Sequence, residues 1–186
     1  ATAIGADIVP MTGENRILAY HGLNVINTSP RAGFEAIIAN LNKTKLTITD
    51  VVFTIAPRIN AAGRTKHGLH AVELLKETDL EKAQEFAASI ENYNSDRREL
   101  DTSITQEAVE QIIAHQEEDK FTSVVYDPVW HKGVIGIVAS RLIENYYRPT
   151  LVFCKSGDQL AASARSVRGF DVYNALEQCA DYIEQF

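Results

Sequence analysis

Small polar side chains alternate with alanine near the end of the chain, in residues 161–169 (AASARSVRG). Because alternate residues of a strand project to the same side, Ser163 and Arg165 are expected to share one face, while Ala164 and Ser166 project to the other. A hydroxyl and a guanidinium on one open face suit a terminal phosphate or a nucleic-acid backbone. The alternative is an exposed edge strand that carries one solvated arginine.

A second anion-binding pattern lies upstream, in residues 130–141 (WHKGVIGIVASR). A strand, a glycine-containing turn and a helix leave free N–H groups at the helix start, where anions bind. His131, Gly133 and Gly136 lie at this start, and Arg141 follows one to two turns into the helix. The glycine spacing matches neither the dinucleotide-binding pattern nor a Walker A loop. The alternative is an ordinary strand-to-helix turn with its tryptophan in the core.

Two arginines flank small residues and an asparagine in residues 56–64 (APRINAAGR), which read as a loop. Small residues let a ligand approach the backbone, and the forked donors of Arg58 and Arg64 match phosphate oxygens. The Asn60 amide offers both a donor and an acceptor. On these residues alone, a surface loop with two solvated arginines is slightly favoured over contact with phosphate or nucleic acid.

A single carboxylate, Asp7, lies in the apolar segment 1–9 (ATAIGADIV), which is expected to be a buried strand. A buried carboxylate must be paired, hydrogen-bonded or bound to a metal. No second carboxylate or histidine lies nearby in the sequence. The pattern alone therefore favours a helix cap or a hydrogen-bonded loop aspartate over a metal site.

The elements that would position these side chains begin with helices. Helices are expected over about 14–26, 33–41 and 69–76, with a short apolar run at 50–55. From Leu80 to Ile112 apolar residues recur at steps of three or four, apart from one double step between Tyr93 and Leu100. No glycine or proline interrupts residues 79–119. This predicts one helix of about 40 residues. Its strongly polar, acidic surface is typical of a connector between domains.

A small α/β lobe is predicted after this helix. Strands are expected at 122–126, 149–154 and 160–167, with a helix over 133–147 between the first two. Gly157-Asp158 is typical of a hairpin turn. Asp171 is placed to cap a last helix over 172–186.

Composition excludes several classes of protein. The chain has 186 residues, 45% hydrophobic and 23% charged, as in an ordinary globular protein. No apolar run approaches the roughly 18–20 residues that span a bilayer. Cys154 and Cys179 form no disulfide framework, which favours buried thiols in a reducing, cytoplasmic compartment. Both ends of the sequence fall inside apolar patterns, so a piece of a longer protein is expected.

Charge is distributed unevenly along the chain. The net charge is −7, which argues against nucleic-acid binding when taken alone. Residues 71–121 hold 14 acids and 5 bases, however, whereas residues 122–170 hold 3 acids and 6 bases. Residues 55–70 hold three bases and no acid. These two basic regions, 55–70 and 122–170, contain the arginine-containing segments described above.

Taken together, these segments resemble the RecJ family, the single-strand-specific 5′ exonucleases of the DHH phosphoesterase superfamily. The matching stretches are IGADIVPMTGENRIL, FTIAPRINAAGR, NSDRREL, WHKGVIGIVASRLIENYYRP and SARSVRGFDVYNAL. They occur in the order of the family and cover essentially the whole chain.

The resemblance implies an α/β fold with three parts. Residues 1–78 would be the C-terminal part of a DHH catalytic domain, 79–119 a connecting helix, and 120–186 an incomplete DHH-associated substrate-binding domain. Family members hydrolyse phosphodiester bonds with two divalent cations, Mn²⁺ or Mg²⁺. The implied work is DNA repair and recombination, and the implied partner is single-stranded nucleic acid, preferably DNA with a 5′ end.

The resemblance also assigns site residues. Asp7 matches a metal ligand, which reverses the preference drawn from its pattern alone, and Ser163 and Arg165 match a strand that helps to hold a 5′-terminal phosphate. Further substrate-binding positions follow from segments that line the cleft in the family: Arg58, Asn60, Arg64, His131, Gly133, Gly136, Arg141 and Ser166. Arg141 has an alternative role, as the partner of an acid.

Several signatures of the family are absent from this sequence. The Asp-x-Asp pair, a further aspartate, the Asp-His-His triplet and the Gly-Gly-His segment are missing, so the chain by itself is expected to be catalytically inactive. Two other functions stay open: a DHH phosphoesterase acting on short oligoribonucleotides or small nucleotides, and a noncatalytic nucleic-acid-binding protein. The long helix argues against small substrates, and exposed apolar surface would favour a dimer.

Overall fold

The computed structural model describes residues 1–7, 9–41, 43–65 and 68–185. The chain divides into two compact units, Ala1–Arg97 and Arg98–Phe186. One long helix, Leu80–Ala114, contributes residues to both units. The domain bounds expected from the family resemblance stay a prediction.

The described part of the first unit is helical. Its elements are α1 (Thr2–Ala6), α2 (Gly13–Thr28), α3 (Ala32–Ala39), α4 (Ile48–Asp50), a π-helical turn (Val51–Ile55), α5 (Ala56–Thr65), α6 (Leu69–Lys76) and the first half of α7 (Leu80–Ala114). The helices expected at 14–26, 33–41 and 69–76 are therefore present, with small differences at their ends.

Two expectations for this unit were wrong. Most of the apolar segment 1–9 forms helix α1 rather than a strand, and Gly5 N–H donates to the Ala1 carbonyl at 2.8 Å. A short apolar run does not by itself distinguish a strand from a packed helix. Residues 56–64 form helix α5 rather than a loop, and Ala61 and Ala62 are fully buried in it. The small residues of this segment thus serve close packing as well as backbone access.

The π-helical turn has an evident cause in the sequence. It immediately precedes α5, whose second residue is Pro57. Proline has no N–H to donate to the preceding turn, and its ring crowds the carbonyl that would have accepted. The π-helix is rare and occurs mostly as a single turn inside a helix, as it does here.

Apolar residues from six helical elements meet in the core of the first unit. The largest buried side chains are Ile55, Leu74, Ile90 and Val51. Helices α3 and α6 approach closely at Gly33, where a Cβ atom would lie 2.1 Å from the Leu74 carbonyl oxygen. Any larger residue at this position would have to push the two helices apart.

The second unit is a small α/β layer packed on the second half of α7. It contains β1 (Ser123–Tyr126), α8 (Ile135–Tyr146), β2 (Thr150–Ser156), β3 (Gln159–Arg165), α9 (Val172–Glu177) and a 3-10 turn (Ala180–Tyr182). The sheet order is β1-β2-β3, with β1 parallel and β3 antiparallel to β2. The predicted strands and central helix are confirmed, whereas the last helix ends at Glu177, well before residue 186.

The core of the second unit joins α7 to the sheet through α8. Ile104 and Ile112 from α7, Val138 and Leu142 from α8, and Val152 from β2 are buried together. Helix α7 also pairs backbone groups at the edge strand β1. The Gln111 amide donates to the Tyr126 carbonyl and accepts from the Tyr126 N–H, both at 3.0 Å. Among the described residues, no helix has the length and apolar character needed to cross a membrane.

A buried arginine, Arg148, hydrogen-bonds the backbone of the segment between α7 and β1. The Arg148 guanidinium donates to the carbonyl oxygens of Glu118 and Lys120, both at 2.6 Å, and of Glu117 at 2.8 Å. Its Nε donates to Ser123 Oγ at 2.7 Å. These bonds pair carbonyl groups just beyond the end of α7, where helical partners run out.

A capping box begins α4 in the first unit. The Asp50 carboxylate accepts from the Thr47 N–H at 2.8 Å and from the Thr47 hydroxyl at 2.7 Å. Lys43 forms an ion pair with the same carboxylate. The Lys43 contact, followed by the two Thr47 hydrogen bonds, lowers the Asp50 pKa to about 2.

We expect Asp50→Asn to destabilise the protein near neutral pH, because the amide loses the Lys43 pair and one acceptor of the capping box. The folded state lowers the Asp50 pKa from 3.8 to about 2. The stabilisation is therefore complete above about pH 4 and disappears as the pH falls towards 2.

Free energies of unfolding from urea titrations at several pH values between 7 and 2.5 measure this effect. Asp96→Asn, which removes an exposed carboxylate from α7, is the matched control. A difference between the wild type and Asp50→Asn that stays constant over this range would contradict the expectation.

Candidate functional site

Four small or polar residues converge between α8 and β3. Arg165 Nε donates to Ser140 Oγ at 3.3 Å, and Arg165 Nη1 donates to Ser163 Oγ at 3.3 Å. Nη1 also donates to the Ala164 carbonyl at 2.8 Å. Gly136 lies one helical turn before Ser140 and faces the same group. We call Gly136, Ser140, Ser163 and Arg165 the arginine–serine site.

The absence of a side chain at Gly136 makes this approach possible. A Cβ atom there would lie 3.0 Å from Ser163 Oγ and 3.1 Å from Arg165 Nη2. The hydroxyl and the guanidinium thus lie directly against the first turn of α8. The positive end of the helix dipole lies at this turn and favours an anion.

The register of the sheet places the two β3 side chains on the covered face. Ser163 pairs with Val152, and Arg165 pairs with Thr150. Val152 and Thr150 are both fully buried. The alternation predicted from the sequence is therefore seen in the structure, where Ser163 and Arg165 share a face.

Arg165 keeps its positive charge available in this arrangement. All three of its acceptors noted above are neutral oxygens, and the residue is exposed. A guanidinium beside two hydroxyls and a helix N-terminus can bind a tetrahedral anion through charge-assisted hydrogen bonds. Ser140 was not among the predicted residues, although its spacing of four from Gly136 placed it on the same helix face.

The turn before α8 holds two other predicted residues. His131 Nδ1 accepts from the Gly133 N–H at 3.1 Å, and the His131 carbonyl accepts from the Val134 N–H at 2.9 Å. Because Nδ1 is an acceptor here, the neutral imidazole carries its proton on Nε2. His131 is exposed. Its ring therefore shapes the turn and leaves Nε2 to face solvent or a ligand.

A tryptophan anchors this turn to α7. Trp130 Nε1 donates to Glu107 Oε2 at 2.8 Å, and Ser103 Oγ donates to Glu107 Oε1 at 2.9 Å. Trp130 is buried. The buried Trp130 agrees with the alternative interpretation of this segment. Its partner Glu107 lies 23 residues away along the chain and was not predicted.

Arg141 pairs with an acid on α7. Its Nη2 lies 2.6 Å from Asp101 Oδ1, and the Asp101 side chain is fully buried. A buried carboxylate requires such a partner. The substrate-binding role of Arg141 stays a prediction, and the structure gives this guanidinium a counter-ion role between α7 and α8.

Three predicted substrate residues lie on α5 in the first unit. Arg58 forms a two-point ion pair with Glu91 on α7, with N–O distances of 2.5 and 3.2 Å, and Nη1 donates to the Thr54 carbonyl at 2.8 Å. Asn60 and Arg64 are exposed, four residues apart on the same helix. Their contact with substrate stays a prediction, and Arg58 also ties α5 to α7.

Asp7 and Ser166 have local surroundings of their own. Asp7 is exposed at the end of α1, where its N–H donates to the Ala3 carbonyl at 2.9 Å. Ser166 Oγ donates to the Phe170 carbonyl and closes the loop after β3. The part of the chain that the structure describes contains no group of three or more histidine, cysteine, aspartate or glutamate side chains able to hold a metal. The described residues therefore do not fit a two-cation centre.

Comparison with known proteins finds a family match within the second unit. Residues 118–184 match the family model of the DHHA1 domain. This segment contains the whole arginine–serine site, together with the buried Arg148.

Over nearly its whole length the chain is similar to RecJ proteins. It is 38% identical to the single-stranded-DNA-specific exonuclease RecJ of Haemophilus influenzae, over 93% of this chain and 31% of that protein. It is 37% identical to RecJ of Bacillus subtilis, over 99% of this chain and 24% of that protein. The chain thus spans only about a quarter to a third of the length of these relatives.

Solved structures agree with this kinship. RecJ of Thermus thermophilus in complex with Mg²⁺ superimposes with a TM-score of 0.89 at 30% identity, covering 99% of this chain and 28% of that one. An exonuclease RecJ bound to manganese gives a TM-score of 0.82 at 29% identity, covering 99% of this chain and 46% of that one. The RecJ resemblance and the α/β fold with a DHH-associated domain are confirmed.

We expect Arg141→Met to lower the free energy of unfolding by about 3 kcal/mol, because it removes the Arg141 guanidinium from the buried Asp101 carboxylate. Urea denaturation measures the loss, and Arg168→Met, at an exposed arginine, is the control. A double-mutant cycle with Asp101→Asn isolates the pair energy. A loss below about 0.5 kcal/mol, as for an exposed ion pair, would contradict the counter-ion role.

Proposed function

We propose, from the kinship with RecJ, that this chain acts within a 5′→3′ single-stranded-DNA exonuclease and that its DHHA1 domain holds the 5′-terminal phosphate. The observation that carries this proposal is the convergence of Arg165, Ser163 and Ser140 against Gly136. The H. influenzae and B. subtilis relatives are named for single-stranded DNA, and this chemistry suits the end of such a strand.

The arginine–serine site suits a terminal phosphate better than an internal one. A phosphate monoester carries about −1.5 to −2 charges near pH 7 and has three strong acceptor oxygens. An internal phosphodiester carries a single negative charge. A forked guanidinium, two hydroxyls and a helix N-terminus supply several donors to one group. The site would therefore select strand ends that carry phosphate.

In this proposal the chain binds and orients substrate. The relatives with solved structures were crystallised with Mg²⁺ or Mn²⁺, and we propose two-cation hydrolysis in DNA repair and recombination for the whole cytoplasmic enzyme. Asp7 would supply one ligand there. The described residues of this chain do not form such a centre, so no hydrolytic step is assigned to them.

The distribution of charge supports this role. The segment that contains the arginine–serine site has 6 bases and 3 acids in residues 122–170, whereas residues 71–121 carry 14 acids and 5 bases. A strand would be attracted to the basic segment and repelled by the acidic one. Net acidity of the whole chain is thus compatible with a local nucleic-acid site.

We expect the chain to bind 5′-phosphorylated single-stranded DNA about tenfold or more tightly than the same strand with a 5′-hydroxyl, because hydrogen bonds to charged groups contribute about 1.5–3 kcal/mol each. Fluorescence anisotropy at two salt concentrations measures both affinities, and both should weaken with salt. Arg165→Ala should abolish the preference. Gly136→Ala should reduce it, because the added methyl group crowds the Ser163 hydroxyl and the guanidinium.

Lys155→Ala is the matched control for this charge change. Lys155 is exposed on β2 and, one residue from the buried Cys154, points to the opposite face of the sheet. It should lower affinity for both strands alike and keep the preference for phosphate. Equal binding of the two strands by the wild-type chain would refute the terminal-phosphate site.

We also expect the 186-residue chain to release no nucleotides from labelled single-stranded DNA in the presence of Mn²⁺, because its described residues offer no multi-ligand metal site. Product analysis on a denaturing gel tests this, with heat-inactivated protein as the blank. Degradation that follows the purified chain and is lost in Asp7→Asn would show that the chain holds a working centre.

A further inference from the structure

Two exposed aromatic residues follow the arginine–serine site. Phe170 is 43% exposed and Tyr173 is 59% exposed. They lie five and eight residues after Arg165, in the loop and the helix that leave β3. Exposed aromatic side chains that follow an anion site within a few residues can stack on a ligand ring.

The loop between Arg165 and Phe170 is held closed. Ser166 Oγ donates to the Phe170 carbonyl, and the Phe170 N–H donates to the Val167 carbonyl at 3.2 Å. Gly169 has a φ of +89°, which permits this tight turn. The backbone of Phe170 therefore lies close to Ser166, the immediate neighbour of Arg165.

The start of α9 is also fixed. Asp171 is its N-cap, and its two carboxylate oxygens accept from the Asn174 N–H at 3.0 Å and from the Asn174 side-chain amide at 2.7 Å. The cap sets the positions of the residues on either side of it, Phe170 before the helix and Tyr173 in its first turn. Both carboxylate oxygens of Asp171 are thus hydrogen-bonded locally.

We propose that Phe170 and Tyr173 form a stacking subsite for the base of the 5′-terminal nucleotide whose phosphate binds at Ser163 and Arg165. This deepens the proposed function and rests on it. An aromatic ring offers a π-face to any base, so the subsite accepts all four bases alike. A terminal base paired in a duplex is already stacked and hydrogen-bonded, so the subsite favours a strand end that is single-stranded.

The test compares two 5′-phosphorylated oligonucleotides that differ only in their first nucleotide, thymidine or a tetrahydrofuran abasic analogue. Anisotropy titration of the 186-residue chain should give about tenfold weaker binding to the abasic strand, in keeping with the usual strength of base–aromatic stacking. Phe170→Ala/Tyr173→Ala should bind both strands with the affinity that the wild type shows for the abasic strand. This variant should keep the preference for 5′-phosphate over 5′-hydroxyl.

Phe121→Ala is the matched control. Phe121 is 94% exposed and precedes β1, at the opposite edge of the sheet from β3. It should retain the full difference between the two strands. If the alanine variant does not fold, Phe170→Leu/Tyr173→Leu replaces it, because leucine keeps apolar volume without a flat ring. The same loss of the difference between the two strands is expected.

The outcomes separate this inference from the proposed function. A phosphate preference with equal binding of thymidine and abasic strands by the wild type overturns the stacking subsite and leaves the phosphate site standing. Absence of any phosphate preference overturns the proposed function, and the stacking inference with it. A difference between the strands that survives both double variants assigns the base contact to other residues and overturns the inference.

Discussion

The second unit depends on one buried carboxylate and the helix that carries it. Asp101 on α7 is fully buried and pairs with Arg141 on α8, and two further side chains of α7 make specific polar contacts. Glu107 accepts from Trp130 in the turn before α8, and Gln111 bonds both backbone groups of Tyr126 on β1. Because buried polar groups must be paired, these contacts permit few arrangements of α8 and the sheet. The arginine–serine site is built from residues of α8 and β3, so these contacts also fix its geometry.

The chemistry of the site comes from residues that are small or neutral. Gly136 leaves room for the Ser163 hydroxyl and the Arg165 guanidinium, and the acceptors observed for Arg165 are neutral oxygens that do not offset its charge. Arg58 and Arg141 instead pair with Glu91 and Asp101. Arg58 and Arg141 thus connect helices through ion pairs, whereas Arg165 presents its charge at the arginine–serine site.

The sequence alone predicted much of the second unit. Periodicity found the 35-residue helix α7, and alternation placed Ser163 and Arg165 on one face of β3. Local pattern failed where partners are distant, since Arg58 and Glu91 are 33 residues apart. It also misread segment 1–9 as a strand, because a short apolar run fits either a strand or a packed helix. The small residues of α5 suggested a loop, whereas their burial reflects close helix packing.

The amide of Gln111 has a consequence for the edges of the sheet. It stands in for a neighbouring strand at Tyr126, supplying one donor and one acceptor at 3.0 Å. Unpaired edges are templates for strand addition and aggregation, and proteins protect them with side chains or loops. Along the described strands, β1 is thus shielded at its end, while β3 forms the other border. A strand added at Tyr126 would first have to displace the Gln111 amide from both of these hydrogen bonds.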